Sequence, residues 1–401
     1  MPARLLAVSH DASLSGAPVM LLQFLRWIRE HHPGQVDLEV LLLRGGPLAG
    51  EFAALAPVRA LAPYGRHTTA EVAYRRAARV VPERPLRWLG AARSRVLLAR
   101  TRGHDVIWLN SAASGPALRG LPASPGQRVV TAVHELDRVI DSLAAHDWQT
   151  VVERTHVFVA GSAGIAEGLR RRPGIEAGRV VVAPEFIDLR REIDGVSRPP
   201  EPDRGAVRRS LGVPDDAFVV GACAASIWRK GADLFVQLGA ALRRRGLLDD
   251  RKGVWLVWVG GPTEGDFSER LRFDLAASGL EGRVRFVAPR RDLTATFAAF
   301  DAFVATSRED ALPLSGLEAG RARLPIASFE SAGLGAVYGP GEGVVVAFGD
   351  VDALAETIHH WVDDPATAVG LGHAAGQRVA QEFDVAVGAP RWWDVVERML
   401  S

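Results

Sequence analysis

Ser197-Arg198-Pro199-Pro200-Glu201-Pro202-Asp203-Arg204 is the stretch on which the reading of this chain turns. Its prolines have a fixed φ and no N–H to donate, so it can continue neither a helix nor a central strand, and its polar composition suits a linker. On both sides of it, short apolar runs alternate with longer amphipathic or basic segments. That alternation is the signature of strands and crossover helices in a parallel sheet. Before the stretch, strands are expected at residues 5–9, 38–43, 106–110, 129–134, 157–160 and 180–183, with helices at 19–31 and 163–172. After it, strands are expected at 218–223, 254–259, 284–287, 302–305, 325–329 and 344–348, with helices opening near Ala232, Ser268, Leu293, Pro313, Val351 and Pro365. The expected fold class is therefore α/β, with two Rossmann-like, doubly wound parallel-sheet domains.

The 401 residues fit two domains of ordinary size better than one. With 48% hydrophobic and 24% charged residues, the balance is that of a globular protein. Lys+Arg 48 against Asp+Glu 47 leaves a net charge of +1, which provides no global field to recruit nucleic acid. Cys223 is the sole cysteine, so neither an intrachain disulfide nor a cysteine-rich zinc site can form, and a reducing compartment fits. The N-terminal apolar run is too short for a secretory signal, and no segment approaches about 18 uninterrupted apolar residues. A cytoplasmic location is the expectation.

Ligands of open parallel sheets settle beyond the carboxyl ends of the strands, so two such sheets facing one another are expected to form one cleft. Three loops in such positions carry candidate chemistry. The first is His10-Asp11-Ala12-Ser13-Leu14-Ser15-Gly16-Ala17-Pro18, which opens a helix. Gly16 permits close backbone approach, and unpaired N–H groups at a helix start attract an anion, although simple capping would explain the same residues. The second is Ile227-Trp228-Arg229-Lys230-Gly231. Of the basic residues only Lys230 and Lys252 are lysines. A fork-shaped guanidinium beside a compact ammonium suits a diphosphate whose charge grows as it leaves, whereas the plain alternative is a solvated basic turn. The third, Ser307-Arg308-Glu309-Asp310-Ala311-Leu312-Pro313-Leu314-Ser315-Gly316-Leu317-Glu318, places Asp310 ahead of a helix and Glu318 about 1.5 turns inside it. The two carboxylates could accept hydrogen bonds from sugar and ribose hydroxyls, or Asp310 could cap the helix with Glu318 on its surface.

This third segment resembles the E-x7-E motif of retaining glycosyltransferases of family 4, which adopt the GT-B fold. Ser9-His10 with Gly16-Ala17-Pro18, Val133-His134-Glu135-Leu136, Pro184-Glu185-Phe186-Ile187-Asp188, Arg229-Lys230-Gly231 and Gly349-Asp350-Val351-Asp352 follow that family's order along nearly the whole chain. The resemblance implies transfer from a nucleotide-sugar donor, without metal or other cofactor and with retention of configuration, to a carbohydrate, lipid-linked or small-molecule acceptor. It further implies an acceptor-binding domain at residues 1–190, a donor-binding domain at 191–375, and a helical segment at 376–401 that crosses back to the first domain, pinned by Trp392 and Trp393. Arg229 and Lys230 would hold the diphosphate and Gly16 would let the opposite loop approach it. Glu318 would hold the ribose and His134 would meet the sugar. Asp310 replaces the family's first glutamate, and the adjacent Glu309 could take its place. Ala17, Arg308 and Leu314 complete the expected substrate contacts.

Sugar-nucleotide 2-epimerases share this architecture, and a non-catalytic sugar-nucleotide-binding protein is compatible with the Glu-to-Asp change. A dehydrogenase fits poorly, because the first loop lacks G-x-G-x-x-G. Asp350-Val351-Asp352 imitates a metal-binding D-x-D but reads as a helix cap, and Gly339-Pro340-Gly341-Glu342-Gly343 reads as a turn. Residues 84–102 interleave arginines with Trp88, Leu89 and Val96, a pattern compatible with a peripheral membrane contact or with a helix that has a solvated face.

Overall fold

The computed structural model describes residues 2–62, 94–199, 201–248, 253–261 and 265–401. Their contacts define two units, Met1–Glu185 with Gly388–Ser401, and Phe186–Val387. The divisions expected from sequence fell after residues 190 and 375.

The first unit holds seven parallel strands among the described residues, β1 (Ala3–Ser9), β2 (Val36–Arg44), β3 (Val58–Ala62), β4 (Val106–Asn110), β5 (Arg128–Val133), β6 (Val157–Ala160) and β7 (Val180–Val182). They are ordered β3-β2-β1-β4-β5-β6-β7. Leu5, Leu6, Ala7 and Val8 are all fully buried. A parallel strand covered on both faces has no solvent side, which is why β1 reads as a continuous apolar run and not as an alternation. β3 was not expected. It lies at the sheet edge and is mostly half-buried, so it needs no such run and leaves little signal. The C-terminal segment returns to this unit, where the buried Trp392 donates from Nε1 to the Ala183 carbonyl at 3.2 Å and meets the rings of Phe24 and Trp108 at 5.4 and 5.1 Å. Trp393 stacks on His32 at 4.2 Å.

The second unit contains β8 (Phe218–Cys223), β9 (Val254–Val259), β10 (Val284–Val287), β11 (Ala302–Ala305), β12 (Ile326–Phe329) and β13 (Val344–Val346), all parallel and ordered β10-β9-β8-β11-β12-β13. One face packs Leu256, Trp258 and Val304 against the helices Ala232–Arg244 and Val351–Asp363. The other packs Phe297, Phe303, Leu317 and Tyr338 together with Val379 of the helix Pro365–Glu382.

The chain joins this second unit before the proline-rich stretch is reached. Ile187 donates to the Phe383 carbonyl at 2.9 Å and accepts from Val385 at 2.8 Å. Residues 190–198 then form a short hairpin closed by an antiparallel bridge between Arg191 and Ser197. Asp203 ends the stretch by accepting from the Ala206 N–H at 2.9 Å, which caps the helix Arg204–Leu211.

In each sheet the strand order reverses once, between β1 and β4 and again between β8 and β11. Crossovers leave such a point toward opposite faces, so the loops beyond those strand ends are spread apart and a ligand can enter. No helix among the described residues is long and apolar enough to cross a membrane. Of the arginine-rich stretch 84–102, residues 84–93 lie outside the described residues.

Candidate active site

At the β8–β11 reversal, the chain leaves Cys223 and passes through a 3-10 turn, Trp228–Lys230, before the helix Ala232–Arg244. Gly231 joins turn to helix with φ +73°, and a Cβ built there would stand 1.9 Å from the Thr306 carbonyl oxygen. Only glycine meets both demands, the left-handed backbone and the close approach. It brings this loop against the one after β11, where the Thr306 hydroxyl donates to the Gly231 carbonyl at 2.8 Å and the Arg308 N–H to the Arg229 carbonyl at 2.8 Å. The Arg308 guanidinium binds Asp233 in bidentate fashion at 2.8 and 2.7 Å, donates to the Trp228 carbonyl at 2.7 Å, and lies 4.6 Å from the centroid of the Trp228 ring. Paired charge, fixed fork geometry and an aromatic face together make a stiff clip between the two loops.

This clip presents three charged side chains. Lys230 Nζ donates to Asp310 Oδ2. Arg229 Nη1 donates to the Glu309 carbonyl at 2.8 Å and lies 3.9 Å from Asp310 Oδ1. The Asp310 N–H donates to the Ser331 carbonyl at 3.0 Å, which anchors the acid from behind. Two cations around one carboxylate leave a local excess of positive charge. An ammonium has three donors, and Lys230 commits one of them to Asp310 among the described residues.

Glu318 differs sharply. The helix Leu314–Arg321 begins with the half-buried Leu314, and Pro313 is its extended N-cap, not its first helical residue as expected. Glu318 is 4% exposed. Its Oε2 accepts from Arg198 Nη1 at 2.9 Å and from Arg321 Nε at 3.0 Å, while Oε1 accepts from Arg198 Nη2 at 3.0 Å. Burial and then the Glu318 carboxylate push the thiol of Cys223, last in β8, up to about 12, while Lys230 opposes them.

In the first unit, Gly16 is the exposed first residue of the helix Gly16–His31. The Ser15 side chain caps nothing and pairs with the Ser13 hydroxyl at 2.8 Å, so capping does not account for the Ser-Gly pair. The Ala17 carbonyl accepts from Asn110 Nδ2 at 2.8 Å, which ties the end of β4 to the helix start. His134 follows β5 directly. Its Nδ1 lies 2.7 Å from Glu185 Oε1 and its Nε2 lies 3.3 Å from Asn110 Oδ1. Burial disfavours the charged ring, but the carboxylates of Glu185 and then Glu135 more than offset it and raise the His134 pKa. Both nitrogens are engaged within the protein while these contacts stand.

The structure thus gathers Arg229, Lys230, Arg308, Glu309 and Asp310 at one reversal, leaves Glu318 buried and paired with Arg198 and Arg321, and puts Gly16, Ala17 and His134 at strand ends of the first unit. Sequence reasoning gave no role to Asp233, Arg198, Asn110 or Glu185. Asp233 and Arg198 find their partners 75 and 120 positions away, so no local pattern could have marked them. Asp350 caps the helix Val351–Asp363 by accepting from the Ala353 N–H at 2.9 Å, as a capping residue should.

Residues 203–378 match the family described as Glycosyl transferases group 1. The lipopolysaccharide core biosynthesis mannosyltransferase LpcC of Rhizobium leguminosarum bv. viciae is 30% identical over 159 residues, 39% of this chain and 44% of that protein. The D-inositol 3-phosphate glycosyltransferase of Kineococcus radiotolerans is 30% identical over 266 residues, 63% of this chain and 59% of that protein. The matches span about half the length of these two curated relatives. Among solved structures, HepE of Anabaena in complex with UDP and glucose superposes with a TM-score of 0.75 at 18% identity, covering 99% of this chain and all of that one. At that identity the likeness is one of fold. The chain has the two Rossmann-like parallel-sheet domains of GT-B glycosyltransferases. The matched residues 203–378 all lie in its second unit.

Proposed function

We propose that this chain is a glycosyltransferase that moves a sugar from a nucleoside-diphosphate donor to an acceptor hydroxyl, with retention of anomeric configuration and without a divalent metal. The observation that carries the proposal is the Lys230–Asp310 ion pair beside Arg229 at the β8–β11 reversal. Cations fixed before the reaction stabilise charge that grows on a leaving diphosphate and need no reorganisation when it appears. Arg229 and Lys230 supply that stabilisation, and Asp310, one bond from the lysine, accepts hydroxyls of the donor sugar. Glu318 takes the ribose. Gly16, Ala17 and His134 of the first unit are further proposed substrate contacts.

In the transfer step the bond from the anomeric carbon to the diphosphate oxygen breaks, and a bond to the acceptor oxygen forms on the same face. The acceptor's proton passes to the departing phosphate oxygen, so no side chain is assigned as a base. The group 1 match supports this class of reaction, as do the UDP and glucose held by HepE. The two relatives named for lipopolysaccharide core biosynthesis and for inositol 3-phosphate support a carbohydrate-like acceptor.

Lys230→Ala is expected to lower transfer by about 10²–10³-fold, the cost of removing one electrostatic donor from a transition state. Radiolabel transfer from a panel of nucleotide sugars, with proton NMR of the product's anomeric coupling and a parallel assay in EDTA, tests the proposal. Unchanged turnover by Lys230→Ala in a folded protein overturns it.

A further inference from the structure

We infer that Arg198 is a positioning residue for the donor nucleotide, holding the Glu318 carboxylate in the orientation that receives a ribose hydroxyl; the inference rests on the transfer reaction proposed above. The two side chains meet fork to fork at 2.9 and 3.0 Å, and each is 5% exposed. Two parallel bonds fix both the rotation and the tilt of a carboxylate, which a lysine's point charge cannot do.

Arg198 is itself held from three sides. Its Nε donates to the Arg191 carbonyl at 2.6 Å across the hairpin, and its Nη1 reaches the Thr294 hydroxyl at 3.4 Å. Glu192, at the tip of that hairpin, accepts from the N–H groups of Leu293 at 3.3 Å and Thr294 at 3.0 Å, and from the Thr294 hydroxyl. The hairpin is thereby pinned to the start of the helix Leu293–Ala298. Arg321 adds a third bond to Glu318 and reaches the same Thr294 hydroxyl at 3.1 Å. Two guanidiniums thus stand between the carboxylates of Glu318 and Glu192.

A carboxylate offers about four lone-pair sites. Oε2 of Glu318 accepts two hydrogen bonds and Oε1 accepts one, which leaves one site on Oε1 among the described contacts. A single ribose hydroxyl can occupy it without displacing Arg198. The arginine is therefore the ligand's support and not its competitor.

The test is calorimetric titration of the full chain with UDP, ADP and GDP and with their 2′,3′-dideoxy counterparts. The wild type is expected to favour the ribose form of its nucleotide by roughly tenfold or more, the scale of a hydrogen bond to a charged group. Arg198→Lys should bring that preference close to onefold while leaving dideoxy affinity within about twofold. Glu318→Gln should do the same, and the double variant should add little, as expected of residues acting through one contact. Arg198→Gln, which leaves Arg321 on the carboxylate, carries the test if the lysine variant does not fold. An unchanged preference in the Arg198 variants, or equal losses for ribose and dideoxy forms, overturns the positioning role and leaves the transferase proposal standing. A wild type that binds nucleotides without regard to the ribose overturns it as well. Failure of the wild type to bind any of the six nucleotides removes the transferase proposal and this inference together.

Discussion

The two sheets reverse in the same way, yet they furnish their reversals with opposite chemistry. At β8–β11 the loops are joined by charge, Arg308 to Asp233 and Lys230 to Asp310. At β1–β4 they are joined by a neutral contact, Asn110 Nδ2 to the Ala17 carbonyl, with His134 and its Glu185 partner nearby. Topology decides where a ligand can enter, and side chains decide what charge it meets there.

Each sheet also depends on a glycine where two of its strand-end loops meet, and comparing the two gives the largest expected effect. A Cβ on Gly231 would stand 1.9 Å from the Thr306 carbonyl oxygen on a backbone at φ +73°, whereas one on Gly46 would stand 2.3 Å from the Ala12 carbonyl oxygen with no positive φ. Gly231→Ala therefore incurs both a backbone clash and left-handed strain. A loss on the order of 3 kcal/mol or more is expected, together with loss of transfer. Gly46→Ala incurs the clash alone and should lose about half as much. Urea unfolding of both variants checks the order, and equal losses would show that the left-handed turn at Gly231 carries no strain.

Why these features differed in legibility follows from what a sequence pattern reports. The strands β4, β6, β8, β9 and β11 have the bounds their apolar runs suggested, because a strand buried on both faces must be apolar throughout. β3, half-buried at an edge, carried no such mark. Lys230 and Asp310 were legible as chemistry because each follows a strand within its own loop. Their mutual contact was not, since it exists only once β8 and β11 become neighbours. Asp233 looked like any acid in a first helical turn, and Arg198 like part of a solvated linker. Periodicity runs along a chain, but these pairs form across a sheet or from a hairpin docked beneath it.

The clip around Arg308 offers a sharper and smaller test. Asp233→Asn keeps the shape and removes the charge that aligns the guanidinium. Because Arg308 also binds the Trp228 carbonyl, the turn should loosen without unfolding. Transfer is expected to fall about tenfold, in line with roughly 1.4 kcal/mol of lost alignment, with the melting temperature shifted by only a few degrees. A fall as large as that of Lys230→Ala would mean that Asp233 touches the reaction itself.

The smallest effect belongs to the first unit and depends on pH. The raised pKa of His134 means that the folded protein holds a proton which the unfolded chain releases near pH 6.5. The pair's contribution to stability is therefore fully present below about pH 6.5 and is lost as pH rises through the elevated folded value. Glu185→Gln removes the partner carboxylate while leaving an amide able to hydrogen-bond the ring. The urea midpoint of this variant should fall below that of the wild type on the acidic side, and the two curves should converge in alkaline solution. Glu135 also faces the histidine and is untouched, so the convergence should begin from a partial loss and not a complete one. A gap that stayed constant across the range would mean the ring is neutral at every pH tested. The contact of His134 with Asn110 at the end of β4 would then be a neutral one throughout, unlike the ion pairs at β8–β11.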